Sequence, residues 1–577
     1  MFLKEIPGAM APLSADQMTA MEAFVKGLDP MQQAWVSGYM AATARGASPV
    51  LPVAAEPATL TVLYGSQTGN AKHVATEVAE AAKARGLNAA LVNMADYKPA
   101  RLKDETHVAI VVSTYGEGEP PESAQKLYDF LASRKAPKLA STRIAVMGLG
   151  DTSYAQFCQT AVDFEERLVA LGATVAVERV LLDVDYEEHT AAWVTGALDT
   201  LASTMETAAP APNVVPLVAS QATYSKKSPF EAEVLTVQKI TGRDSTKDVR
   251  HIEFSLEGSG LTYKPGDALG VYFENDPAEV DAVLERLGLA DTALRKALIE
   301  DYELTQSYPG FVTAYAEATG NAELAALAED KAALRAYLEP RQIYDILHEH
   351  PAEIDAPTLT SCLRTMQPRL YSIASSQADV EDEVHLTLAV VAYEAHGRDH
   401  LGGASGHLGC RIEPGQRVRI YVEENEGFRL PAADVPVIMI GPGTGIAPFR
   451  AFLQEREATG ATGENWLFFG NPHFTQDFLY QTEFMGWLKD GLLTRFDVAF
   501  SRDQAEKIYV QDRIRERGAE IVDWLARGAH LYVCGDAARM ARDVHAALAE
   551  VLREAGEDAE AFLGALRDAG RYQRDVY

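Results

Sequence analysis

Two stretches of this chain alternate apolar strands with amphipathic helices, and each has a strand that runs directly into a glycine-rich loop and a helix. Parallel neighbours need a long crossover, so this order of elements predicts a parallel sheet with helices on its faces. In the first stretch the strands fall at 59–64, 90–94, 107–113, 143–147 and 175–180, which predicts a doubly wound sheet. In the second they fall at 437–441, 466–470, 494–500 and 530–534. Between them, strand-like segments at 231–240, 249–256, 268–273, 369–373, 384–391 and 417–422 are joined by glycine-bearing turns, and an antiparallel barrel is the economical reading. An alanine- and leucine-rich helical region at about 277–358 interrupts it as an insertion.

The expected fold class is therefore multidomain α/β plus β-barrel. The expected divisions are 1–57, an N-terminal helical extension and linker; 58–202, the first sheet; 203–228, a second linker; 229–430, the barrel with its insertion; and 431–577, the second sheet. Residues 12–44 read as two short amphipathic helices, one bearing Leu13, Met18, Met21, Phe24 and Val25, the other Met31, Trp35, Val36, Tyr39 and Met40. They form either a packed hairpin or an exposed recognition element.

Composition narrows the function. The formal net charge of -31 repels polyphosphate backbones and anionic lipid, so neither nucleic acid nor a membrane surface is expected as a partner. A partner protein with a basic face suits it better. The four cysteines, Cys158, Cys362, Cys410 and Cys534, never approach a CxxC spacing, so no metal centre is expected. Without a long apolar run, the expectation is a soluble, cytoplasmic protein.

Three loops in the first sheet carry chemistry. Gly65-Ser66-Gln67-Thr68-Gly69-Asn70 follows a strand and opens a helix, where unpaired N–H groups and the helix dipole favour an anion. It lacks the lysine of a triphosphate loop and the GxGxxG spacing, which leaves a phosphate monoester or a structural turn. Ser113-Thr114-Tyr115-Gly116-Glu117-Gly118 and Leu149-Gly150-Asp151-Thr152-Ser153-Tyr154 end the next strands, and such ends converge on one crevice. Tyr115 and Tyr154 could there sandwich a flat ring.

In the barrel, Arg369-Leu370-Tyr371-Ser372 offers a cation for a diphosphate, an aromatic cover and a small hydroxyl, and Gly402-Gly403-Ala404-Ser405 gives a small-residue turn. In the second sheet, Gly441-Pro442-Gly443-Thr444-Gly445 follows a strand and gives close backbone access to a diphosphate or nicotinamide. Ser501, Arg502, Lys507 and Tyr509 suit an adenine ribose bearing a 2′-phosphate, so NADPH is favoured over NADH.

These motifs, in this order, resemble those of the diflavin reductases: a flavodoxin-like FMN domain, an FAD-binding barrel, and an NADP-binding domain similar to that of ferredoxin–NADP reductases. The resemblance implies the cofactors FMN, FAD and NADPH. It implies that FMN contacts Ser66, Gln67, Thr68, Gly69, Asn70 and Ala71 through its phosphate. The FMN ring would lie by Ser113, Thr114, Tyr115, Gly116, Glu117, Gly118, Leu149, Gly150, Asp151, Tyr154, Phe157 and Cys158, the last with no thiol chemistry. FAD is implied at Thr305, Arg369, Leu370, Tyr371, Ser372, Thr387, Leu388, Ala389, Tyr393, Gly402, Gly403, Ala404 and Ser405. NADPH is implied at Gly443, Thr444, Ser501, Arg502, Lys507, Ile508, Tyr509, Val510, Gln511 and Asp543. Ser372, Cys534 and Asp575 would line the hydride-transfer site, and Tyr577 would cover the FAD ring.

Leu28-Asp29-Pro30, the run from Ala34 to Met40 and the run from Arg571 to Tyr577 further resemble the flavoprotein α components of bacterial assimilatory NADPH–sulfite reductases. That resemblance implies electron flow from NADPH to FAD to FMN and on to a β hemoprotein carrying siroheme and a 4Fe–4S cluster, where sulfite becomes sulfide. It also implies α-subunit self-association through the N-terminal region. Tyr115 is instead similar to other diflavin reductases. The alternative is a soluble NADPH diflavin reductase serving a cytochrome P450 or other haem acceptor, and a flavin-binding scaffold without turnover is a third class.

Overall fold

The computed structural model describes residues 14–29, 32–33, 36, 58–115, 118–154, 156–205, 224–537 and 539–577. Most of the second N-terminal helix, most of both linkers, and the expected ring contacts Gly116 and Glu117 lie outside the described residues. The chain divides into two units, residues 1–57 and 58–577. In the first, the helix Ala15–Lys26 starts at a capping box in which Ser14 and Gln17 satisfy each other's backbone N–H, and Phe24 is 53% exposed.

The second unit begins with β1 (Thr59–Gly65), β2 (Asn88–Asn93), β3 (His107–Ser113), β4 (Arg143–Leu149) and β5 (Thr174–Leu182), arranged β2-β1-β3-β4-β5 and parallel throughout. β1, β3 and β4 are buried on both faces, which is why they read as unbroken apolar runs. The strand order reverses at β1/β3, and the loops after β1, β3 and β4 open on one side, so the sheet delivers all three loops to a single crevice.

Next come β6 (Phe230–Lys239), β7 (Val249–Ser255), β8 (Ala268–Val271), β9 (Arg369–Ser372), β10 (Glu383–Ala389), the hairpin β11 (Ala392–Ala395) and β12 (Arg398–Leu401), and β13 (Arg417–Glu423). Six of them form an antiparallel sheet, β10-β7-β6-β13-β8-β9, whose edge strands meet at the bridge Ile373–Leu386. The barrel-like arrangement follows the expectation; the β11–β12 hairpin was not anticipated. The insertion between β8 and β9 is seven helices running from Pro277–Leu287 to Ala356–Cys362, with Asp276, Asp291, Asn321, Asp330 and Asp355 capping five of them. Its own core includes Phe311 stacked on Tyr315.

The last sheet has β14 (Val437–Ile440), β15 (Asn465–Asn471), β16 (Arg495–Phe500), β17 (His530–Gly535) and β18 (Tyr572–Val576) in the order β16-β15-β14-β17-β18. β18 escapes a periodicity reading because Gln573, Arg574 and Asp575 interrupt any apolar pattern; it is an edge strand, recruited by pairing with β17. Among the described residues no helix is long and apolar enough to cross a membrane.

Candidate functional site

The phosphate loop sits where β1 meets the helix Asn70–Ala84. That helix has Gly69 as its N-cap at φ +82°, with no side chain capping its first N–H groups. Ser66 Oγ is buried there without a hydrogen-bond partner. An orphaned buried hydroxyl beside an open helix N-terminus fits a phosphate monoester, and a glycine N-cap leaves the donors accessible. Ala71 is fully buried and packs the helix onto the sheet.

Beyond this loop lies a cavity of about 850 Å³ lined by Gln67, Thr68, Asn70, Ser113, Thr114, Tyr115, Leu149, Gly150, Asp151, Tyr154, Phe157 and Cys158. The three expected loops therefore share one crevice. Tyr154 is 50% exposed, whereas the Tyr115 hydroxyl donates to the carbonyl of Val576 at 2.8 Å, tying this domain to β18. Cys158 is fully buried, and burial pushes its thiol up to about 12, which suits packing rather than reactivity. The far wall comes from the last domain: Arg542, His545, Arg567, Arg574 and Tyr577. No local motif marks Arg542, His545 and Arg567, because they reach the crevice only through the packing of one domain on another; Arg574 and Tyr577 belong to the terminal run, and Tyr577, expected over the FAD ring, lines this first cavity rather than the second.

A second cavity, of about 1290 Å³, is lined by Thr305, Arg369, Leu370, Tyr371, Ala389, Tyr393 and Gly402, Gly403, Ala404 and Ser405. Thr305 is brought to the small-residue turn: a Cβ on Gly403 would overlap Phe273 and come within 2.7 Å of Thr305 Oγ1. This is the closeness a backbone cradle for phosphate oxygens requires. Arg369 donates to Glu303 Oε2 at 2.7 Å, and Glu303 also accepts from Thr305 Oγ1 at 2.8 Å, so one buried acid orients both groups. Glu303 was not foreseen, since a lone carboxylate in a helical insertion carries no motif. Tyr393 stacks on His400 with centroids 4.8 Å apart. Thr387 and Leu388 do not line this cavity: Thr387 shares a face of β10 with Ala389 but its hydroxyl meets Tyr480 Oη at 2.6 Å, and Leu388, on the other face, belongs to the barrel core.

Asp151, Tyr154 and Phe157 line both cavities, so one loop after β4 is a wall common to the two.

Ser372, Cys534 and Asp575 also converge, from β9, β17 and β18. Ser372 Oγ donates to Asp575 Oδ2 at 2.7 Å, and Cys534 Sγ lies 3.9 Å from the same oxygen. Cys534 and Asp575 are cross-strand partners, so β18 pairing is what places the carboxylate. Burial raises the pKa of Asp575 and pushes the Cys534 thiol well up. Nearby, a Cβ on Gly445 would collide with the Cys534 carbonyl, so only glycine lets the turn after β14 close on β17. Thr444 Oγ1 lies 3.0 Å from Tyr577 Oη, and Tyr577 is 62% exposed.

At the end of β16, Ser501 is buried while Arg502 and Lys507 are exposed; Tyr509, 44% exposed, caps the helix Val510–Glu516. Gln511 Nε2 donates to Asp543 Oδ2 at 3.3 Å, which joins these two expected contacts. Ile508 packs partly buried, and Val510 lies fully in the core beneath them.

Domain models match the same three regions: Flavodoxin at residues 62–193, FAD binding domain at 222–308 and 305–407, and Oxidoreductase NAD-binding domain at 439–546. The sulfite reductase (NADPH) flavoprotein alpha-component of Aliivibrio fischeri is 50% identical over 604 residues, covering 100% of both chains. That of Vibrio vulnificus is 49% identical, covering 99% of this chain and 97% of the relative. The Yersinia enterocolitica protein is 49% identical with 99% of each chain covered. This chain belongs to the sulfite reductase (NADPH) flavoprotein alpha-component family. Membership in that family accounts for the domain order from flavodoxin-like sheet to NAD-binding sheet.

Proposed function

We propose that the chain is the NADPH-dependent electron-transfer flavoprotein of an assimilatory sulfite reductase, receiving hydride from NADPH and delivering electrons to a hemoprotein that reduces sulfite to sulfide. The observation that carries this reading is the common wall, Asp151, Tyr154 and Phe157, between the two ring-sized cavities. Bound there, FAD and FMN supply the exchange between a two-electron hydride and single electrons.

The chain's own groups do the rest. Ser66, Gln67, Thr68, Gly69 and Asn70 hold the FMN phosphate at a helix N-terminus, and Tyr115 and Tyr154 flank the ring. Arg369 and the turn Gly402–Ser405 hold the FAD diphosphate, with Tyr371 and Tyr393 against flat surfaces. Gly443, Thr444, Arg502, Lys507 and Tyr509 bind NADPH, the two cations on its 2′-phosphate. Ser372, Cys534 and Asp575 line the place where hydride leaves the nicotinamide, and Tyr577 moves aside for it. The working divisions are 58–202 for FMN, 229–430 for FAD and 431–577 for NADPH. The hemoprotein carries siroheme and a 4Fe–4S cluster, residues 1–57 contribute to self-association, and the complex works in the cytoplasm.

Flavin extraction from the purified chain should release FMN and FAD in equal amounts. Anaerobic NADPH should bleach both, and adding the hemoprotein should yield sulfide. A single kind of flavin, or an FMN that stays oxidised, would refute the relay.

The flavodoxin-like domain is held to its neighbours by scattered ion pairs: Lys72–Glu426 at 3.1 Å, Lys227–Glu77 at 2.7 Å and Arg574–Glu122 at 3.5 Å. The exposed lysine pairs contribute about 0–1 kcal/mol each, so the lysine side of the contact is suited to breaking and re-forming, while Arg574–Glu122 is the more buried of the three. Zero-length carbodiimide coupling of Lys72 to Glu426 is expected to leave FAD reduction intact while suppressing electron delivery to the hemoprotein. Undiminished delivery from the coupled protein, with Lys72→Ala as the uncoupled control, would show that the domain need not move.

A further inference from the structure

At Gly69 the phosphate loop of the flavodoxin-like domain meets an acidic side chain of the barrel. Glu423, the last residue of β13, lies so close to Gly69 that a Cβ there would overlap its carboxyl group. Among the described residues this carboxyl has no hydrogen bond and no ion pair, although it sits at a domain interface beside two lysines. Both cations are engaged elsewhere: Lys72 with Glu426 at 3.1 Å, and Lys226 with Glu187 at 2.5 Å. The other groups facing Glu423 are Glu424 on its own segment, Asp267 ahead of β8, and the phenols of Tyr186 and Tyr421. Two of these are like charges, and none donates to it.

We propose that Glu423 is a positioning residue for the electron hand-off: it seats the phosphate loop against the barrel while its carboxyl is protonated, and losing that proton releases the flavodoxin-like domain. A half-buried, unpartnered carboxylate beside like charges is costly, whereas the neutral acid packs against Gly69 at lower cost. Burial, followed by the partial relief of Lys72 and Lys226 and the opposition of Glu424 and Asp267, pushes this carboxyl from 4.5 up to about 7 when docked. Once the domain leaves, water returns and the group recovers its ordinary value.

The sign follows from linkage. The docked state holds the proton more tightly, so docking is strongest below the undocked value of 4.5 and weakens as pH rises toward about 7. Across that window it loses up to about tenfold per pH unit, and above it the dependence is flat. If the loop holds FMN as proposed above, the phosphate adds another like charge and extends the window upward.

Small-angle X-ray scattering of the full-length flavin-loaded chain, from pH 5 to 8.5, reads the docking directly. The radius of gyration should grow with pH in the native chain and stay small throughout in Glu423→Gln, while Glu424→Gln keeps the pH dependence, shifted downward because one opposing charge is gone. Repeating the series after FMN removal separates the two readings, because the pH dependence should persist, shifted downward, with the loop empty. A pH-independent native chain, or a Glu423→Gln profile that matches the native one, would overturn the proposal. Flavin content and a melting curve for each variant verify that it is folded.

Discussion

Replacing Asp575 by asparagine is expected to slow the reduction of FAD by NADPH about a hundredfold, the cost typical of losing one preorganised electrostatic group at a reacting centre. When hydride leaves NADPH, the nicotinamide ring becomes cationic, and a fixed buried carboxylate beside it stabilises that developing charge. In the proposed hydride site Asp575 is held by the 2.7 Å bond from Ser372 and by its pairing opposite Cys534. Asparagine keeps the shape and still accepts from Ser372, so the loss isolates the charge. Because burial raises the Asp575 pKa, the native rate should fall with acidification at a pH above the ordinary carboxylate value of 3.8, as the group protonates. The variant should lack that limb. Stopped-flow bleaching of FAD across pH measures both, and a native-like rate in Asp575→Asn would remove the residue from the hydride step.

The second large effect is on FMN retention. Gly69→Ala places a Cβ at φ +82°, in the left-handed region, and drives it into the Glu423 carboxyl. The backbone term alone is about 1–2 kcal/mol, and each 1.4 kcal/mol is a factor of ten in affinity. FMN binding should therefore weaken about tenfold or more as the loop shifts to avoid both penalties. FAD content and its reduction by NADPH should be unchanged, since the barrel cavity is untouched. Extraction of both flavins after dialysis checks this, and an equimolar FMN content in Gly69→Ala would mean that the loop does not hold the phosphate.

Much of this architecture is legible in the chain. β1, β3 and β4 announce themselves because strands buried on both faces must be apolar throughout, and the loops after them carry glycine and hydroxyl residues that close phosphate approach demands. β18 is not legible, because an edge strand with three polar residues derives its structure from its neighbour rather than from its own pattern. Leu388 illustrates the other failure: a residue in the right strand faces the barrel core, and alternation along β10 rather than proximity in sequence decides which side it takes.

The sequence by itself determined the three bodies, their order and the glycine- and hydroxyl-bearing loops at their strand ends, since each depends on local periodicity and on glycine where the backbone must come close. Only the tertiary structure decided that Ser372 and Asp575, 203 positions apart, share a hydrogen bond, and that Glu423 lies beneath Gly69. Those contacts join groups from separately packed bodies, and no local pattern encodes where one domain will rest on another.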